Sequence, residues 1–141
     1  MDEIVIENLN MTDELAKKFA KLLRGGEIIL LNGDLGAGKT TFVKSVLKYL
    51  GVRDIVTSPT FTIMKKYEGN LFEIFHLDVY RFESSDEMYG CGLDEILFNL
   101  SSNQIMFIEW SDKLKDILPD NCIEIEISLI DQDKRLFKFN R

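Results

Sequence analysis

The sequence predicts an α/β fold of three layers, a mixed β-sheet between two layers of helix, and three features carry that expectation. The segment EIILLN at 27–32 is apolar from Ile28 to Leu31, as befits a strand covered on both faces. It breaks into GDLGAGKT at 33–40, after which Phe42, Val43, Val46, Leu47 and Leu50 recur on one helical face until Gly51. QIMFIEW at 104–110 is a second buried strand, ending in an acid, while FTIMKKY, LFEIFHLDVY, CIEIEISLI and RLFKFN have the character of hairpin strands. The strand, glycine loop and helix make the expected class P-loop NTPase-like, with a parallel centre and antiparallel hairpins, in one domain spanning residues 1–141.

The remaining elements follow in order. IVI at 4–6 reads as an edge strand. Leu15, Phe19, Leu22 and Leu23 mark a helix from Thr12, with Thr12 as N-cap, Asp13 and Glu14 in the first turn and Gly25-Gly26 at its end. EGN at 68–70 joins the two strands of a hairpin, whose second strand places Phe72, Ile74, His76, Asp78 and Tyr80 on one face. SSDEMYG and LDEILFNL suggest short helices, the first capped by Ser84 or Ser85. Ile123, Ile125, Ile127 and Leu129 alternate onto one side of the next strand, and RLFKFN returns after a DQD turn.

A net charge of −7 argues against a freestanding nucleic-acid binder, which needs a basic face to neutralise phosphates. The N-terminus has no basic start followed by an apolar run, and no window approaches a membrane span. Cys91 and Cys122 lie far apart, with no CxxC pair and a single histidine, so neither structural zinc nor a disulfide is expected. The expectation is a cytoplasmic protein with no membrane association.

The glycine loop carries the chemistry. GDLGAGKT fits G-x-x-x-x-G-K-[ST], whose backbone N–H groups wrap a phosphate chain and whose glycines let it approach closely. Gly33, Asp34, Leu35, Gly36, Ala37, Gly38, Lys39, Thr40 and Thr41 are therefore the expected nucleotide contacts. Lys39 would reach the β- and γ-phosphates, and Thr40 would offer its hydroxyl to Mg2+. Glu109, at the end of IMFIE, reads as the second metal-associated acid, or else as a solvent-facing acid at a strand terminus. Neither N-K-x-D nor D-x-x-G occurs, which favours ATP over GTP.

Together with GDLGAGKTT, the stretches SPTFT at 58–62, HLDVYR at 76–81, IEW at 108–110 and GLDEI at 92–96 closely resemble the TsaE (YjeE) family across almost the whole chain. That resemblance implies an ATPase needed for threonylcarbamoyladenosine on transfer RNAs that read codons beginning with A. It implies action with TsaD, which transfers the threonylcarbamoyl group, and its partner TsaB; an indirect association with transfer RNA is expected, and direct contact is left open. Carried over by position, it makes Lys39, Asp78 and Glu109 the catalytic set and Thr40 and Glu109 the metal set. It puts Thr12 near the nucleotide base and Thr60 in a nucleotide-sensing loop.

The residues allow other readings. Asp78 would orient or deprotonate the attacking water, hold a metal-bound water, or simply pair with Lys65, Lys66 or Arg81. His76 is either structural or catalytic, and Arg81 serves structure or docking unless the strand ends in time to make it an arginine finger. Trp110 would stack on a partner or fill the edge of the core. A small-molecule kinase using the same loop is the alternative function, disfavoured because no arginine-rich lid is present.

Overall fold

The computed structural model describes residues 2–34 and 36–140. Its elements are β1 (Asp2–Ile6), α1 (Leu9–Leu22), β2 (Ile28–Asn32), α2 (Lys39–Tyr49), β3 (Met64–Glu68), β4 (Glu73–Asp78), α3 (Asp86–Gly90), α4 (Leu93–Phe98), β5 (Gln104–Glu109), a 3-10 turn (Ser111–Leu114), β6 (Ile123–Leu129) and β7 (Arg135–Asn140). The seven strands form one sheet in the order β1-β7-β6-β2-β5-β4-β3. β6, β2, β5 and β4 are mutually parallel, while β7, β1 and β3 attach antiparallel to their neighbours. This is the expected mixed sheet with a parallel centre.

Strand alternation divides the core. Ile29 and Leu31 of β2, Ile105 and Phe107 of β5 and Ile125 and Ile127 of β6 face α1 and α2. Ile28 and Leu30, with Met106 and Ile108, face α3, α4 and the 3-10 turn through Met88, Leu93, Leu97 and Leu114. Every residue of β2 is buried, as its unbroken apolar run requires. On the first face Phe42 of α2 meets Phe19 of α1 at 5.7 Å and Phe137 of β7 edge-on at 5.3 Å between ring centroids. These contacts lock the helix behind the glycine loop onto the sheet. Among the described residues no helix is long and apolar enough to cross a membrane.

Several local expectations are corrected. α1 starts at Leu9 with Asn8 as N-cap, its Oδ1 accepting from the Met11 N–H at 2.9 Å, so Thr12 lies inside the helix. An extended Leu23 ends α1, and Gly25 and Gly26 instead form the turn into β2. β3 begins at Met64 rather than near Phe61, because Ile63 has φ 69°, where a β-branched residue cannot continue a strand. β4 stops at Asp78, so Tyr80 does not share its face. Ser85 occupies the cap position of α3 without a side-chain cap bond, its hydroxyl donating to Asp116 at 2.7 Å. Leu129, at the end of β6, is exposed.

Phe42 holds α2, and with it the glycine loop, against both α1 and the sheet. Phe42→Ala is expected to lower the unfolding free energy by about 3–5 kcal/mol, read from urea denaturation.

Candidate active site

The carboxyl ends of the parallel strands form one edge, where α/β proteins of this kind bind ligands. Asn32 closes β2 there. Its buried Oδ1 accepts from Ser111 N–H at 3.1 Å and Ser111 Oγ at 2.9 Å, tying the loop's start to the turn after β5. At Gly33 the loop lies so close to β6 that a Cβ would overlap the Ile127 carbonyl. Gly38, with φ 107°, is the N-cap of α2 and supplies no side-chain cap. The first amides of α2 are left for a ligand, as anion binding requires.

Lys39 opens α2 yet is buried. Its Nζ donates to the Gly33 carbonyl at 2.6 Å and the Asp34 carbonyl at 3.0 Å, and lies 4.1 Å from the centre of the Trp110 ring. Burial pushes the Lys39 ammonium below its usual pKa, while the charges of Glu109, Asp78 and Asp34 oppose that shift. The loop thus satisfies its own cation with two carbonyls and one aromatic face.

Glu109 and Asp78 are register partners at the ends of β5 and β4. Alternation places Glu109 on the face of Ile105 and Phe107, and Asp78 on the face of Ile74 and His76, so all of them point to the α2 side. Thr40 Oγ1 donates to Glu109, 3.0 Å from each carboxylate oxygen. His76 Nε2 lies 2.6 Å from Glu109 Oε2, in a contact where both side chains are buried. Asp78 accepts from Thr60 Oγ1 at 3.0 Å and from the Tyr80 N–H at 2.9 Å. Thr60 is in turn 2.7 Å from Ser58 Oγ.

Two cavities flank the loop. The larger, about 660 Å3, is bounded by the start of α1 (Asn8, Thr12), the glycines Gly36 and Gly38, and Gln132, Asp133 and Arg135 near the β6–β7 turn. The smaller, about 240 Å3, is lined by Lys39, Thr40, Thr60, Asp78, Glu109 and Trp110. Gly36, Gly38 and Thr41 border both, so the loop separates a broad chamber from a narrow polar one. Among the described residues no group of three or more His, Cys, Asp or Glu is disposed to hold a metal unaided. The oxygens of Thr40, Glu109 and Asp78 suit a hard cation that draws its other ligands from phosphate and water.

The family model for the threonylcarbamoyl adenosine biosynthesis protein TsaE matches residues 6–137. The chain belongs to the TsaE family. It is 41% identical over 135 residues to the tRNA threonylcarbamoyladenosine biosynthesis protein TsaE of Rickettsia bellii, covering 95% of this chain and 91% of that one. The TsaE of Bacillus subtilis is 39% identical over 132 residues, covering 94% and 80% respectively. The crystal structure of Bacillus subtilis YdiB superposes with a TM-score of 0.80 at 33% identity, over 98% of this chain and 83% of that chain.

Within this TsaE fold, Lys39, Thr40, Asp78 and Glu109 converge on the smaller cavity. Thr12 lines the larger one from inside α1, with Gly36, Ala37, Gly38 and Thr41. Asp34 contributes its carbonyl to Lys39, Gly33 does the same, and Leu35 lies outside the described residues. Asp78 pairs with none of Lys65, Lys66 or Arg81; its partners are Thr60 and the Tyr80 amide. Arg81 packs against the Phe61 ring at 4.6 Å and is absent from the lining of the smaller cavity. Trp110 covers Lys39 and meets Tyr80 at 4.8 Å between centroids.

Sequence reading missed Gln132, Asp133 and Arg135, which border the loop's larger cavity because β7 folds back beside β6, and Asn8, which follows β1 where it pairs with β7. Pattern alone also did not pair His76 with Glu109, since that contact spans β4 and β5.

The Asn32 bridge gives a direct test. Asn32→Ala leaves the buried Ser111 N–H without its acceptor and is expected to cost about 1–3 kcal/mol of stability, measured by chemical denaturation.

Proposed function

We propose that this chain is a Mg2+-dependent ATPase serving tRNA threonylcarbamoyladenosine biosynthesis. In this reading it is a cytoplasmic accessory subunit that acts on the TsaD–TsaB complex, does not itself transfer the threonylcarbamoyl group, and meets transfer RNAs reading codons beginning with A only through those partners. One observation carries the ATPase reading: a glycine loop stands between two cavities, with a buried lysine, a threonine hydroxyl and two strand-end carboxylates facing the narrow one. Membership of the TsaE family supplies the pathway.

The larger cavity supports a place for base and sugar beside Thr12, and the loop amides support the phosphate chain. Lys39 exchanges the Gly33 and Asp34 carbonyls for phosphate oxygens, gaining charged acceptors where it now has neutral ones. Thr40 and Glu109 would hold Mg2+, which when bound neutralises phosphate charge. A lone pair of the Thr40 oxygen would face the cation while its hydroxyl proton stays on Glu109. Asp78, already fixed by the Tyr80 amide, uses its other oxygen to orient the attacking water and accept its proton. Thr60 sits on that same oxygen, so its loop must shift to admit water. That requirement accords with slow turnover until a partner completes the site.

ATP with Mg2+ at about a hundred times Kd is expected to stabilise the chain by about 2.7 kcal/mol, read as a rise in Tm. Lys39→Ala should abolish that rise. Chelating the metal with EDTA should stop hydrolysis, whereas Asp78→Ala should keep the Tm rise and slow phosphate release roughly a hundredfold or more. Phosphate release by the wild type should accelerate with TsaD–TsaB present. An absence of any ATP-dependent stabilisation, alone or with those partners, would falsify the reading.

A further inference from the structure

His76 is the chain's sole histidine, is fully buried in β4, and lines neither cavity at the loop. Among the described residues its only side-chain polar contact is the 2.6 Å approach of Nε2 to Glu109 Oε2. Nδ1 is buried with no hydrogen-bond partner among the described residues. Buried polar atoms are nearly always paired, and an apolar side chain would fill the same core position without leaving one orphaned. What histidine adds here is a single directed hydrogen bond to a carboxylate.

Glu109 needs that direction. The backbone leaves the strand abruptly after it, Trp110 having φ 62°. Thr40 shares one hydroxyl proton between two equidistant carboxylate oxygens and so favours neither. His76 alone distinguishes them, holding Oε2 from the sheet side and leaving Oε1 with only the shared Thr40 proton. Because the Thr40 proton is split evenly, His76 supplies the one asymmetric hydrogen bond on Glu109 among the described residues.

We propose that His76 is a positioning residue for Glu109: its Nε2–H holds the carboxylate towards the smaller cavity and thereby sets the Mg2+ concentration at which the nucleotide complex forms. This rests on the ATP and Mg2+ reading above. It follows the general behaviour of groups that hydrogen-bond a metal-associated carboxylate, whose loss weakens metal binding roughly 10–100-fold.

Two variants separate positioning from packing. The amide nitrogen of Gln reaches to about where Nε2 lies, whereas that of Asn reaches only to about Nδ1. With ATP saturating, Mg2+ is titrated against the fluorescence of Trp110, the sole tryptophan, which covers Lys39. His76→Asn should move the Mg2+ midpoint upward by about 10-fold or more, while His76→Gln should stay within a few-fold of wild type. ATP binding in EDTA should be unchanged in both. Equal midpoints for the two variants, or a shift in Mg2+-free binding to match, would overturn the proposal while leaving the ATPase reading intact. A wild type whose ATP complex ignores Mg2+ would remove both.

A second measurement needs no variant of His76. In 15N-histidine-labelled wild type, one set of imidazole resonances should report the Nε2–H tautomer and move when Mg2+ joins the ATP complex. An Nδ1–H tautomer would sink the proposal, since Nε2 would then have no proton to donate.

Discussion

A carboxyl group buried at the end of a β-strand has to be hydrogen-bonded, and Glu109 meets that requirement with partners from two other elements. Thr40 reaches it from the first turn of α2 and His76 from the middle of β4. The glycine loop, the central strand β5 and the neighbouring β4 are therefore joined through one side chain. The Asn32–Ser111 bridge adds a second tie between the end of β2 and the turn after β5. Together they hold four segments at one edge of the sheet, where a shift in any one is felt by the others.

The glycine loop behaves as a compact electrostatic unit. Its lysine is buried, which disfavours the ammonium, and two carbonyls, an aromatic face and nearby carboxylates offset only part of that cost. In the proposed nucleotide complex, phosphate oxygens would replace the carbonyls and leave the cation in place. The same economy holds at Thr40, whose hydroxyl is bound to the acid with which it is proposed to share a cation. Asp78 differs, because one of its oxygens is occupied by Thr60 from a loop that enters β3 through the left-handed Ile63. That loop is the part of the site with the least regular backbone around it.

Much of this was legible in one dimension. The fully apolar β2, the glycine pattern and the amphipathic α2 are consecutive, so a local reading assembles them correctly. Glu109 was legible as an acid at a strand end, whereas Asp78 was expected inside a strand running on to Tyr80 and reaches the common edge because β4 stops there. The start of α1 was misread because Thr12 suits a cap as well as Asn8 does, and only the backbone decides between them. The start of β3 was misread because Phe-Thr-Ile has strong strand propensity, which the left-handed turn at Ile63 overrides.

The sequence by itself determined the fold class and the strand, glycine loop and helix at its centre, because each is encoded in residues adjacent along the chain or repeating at a fixed period. The tertiary structure alone decided which groups come together: His76 with Glu109, Thr60 with Asp78, and Arg135 and Thr12 on the lining of one cavity. The physical reason is separation. Those partners lie on different strands, helices and loops, and sheet order and register, set by the packing of two whole faces, are what bring them within reach.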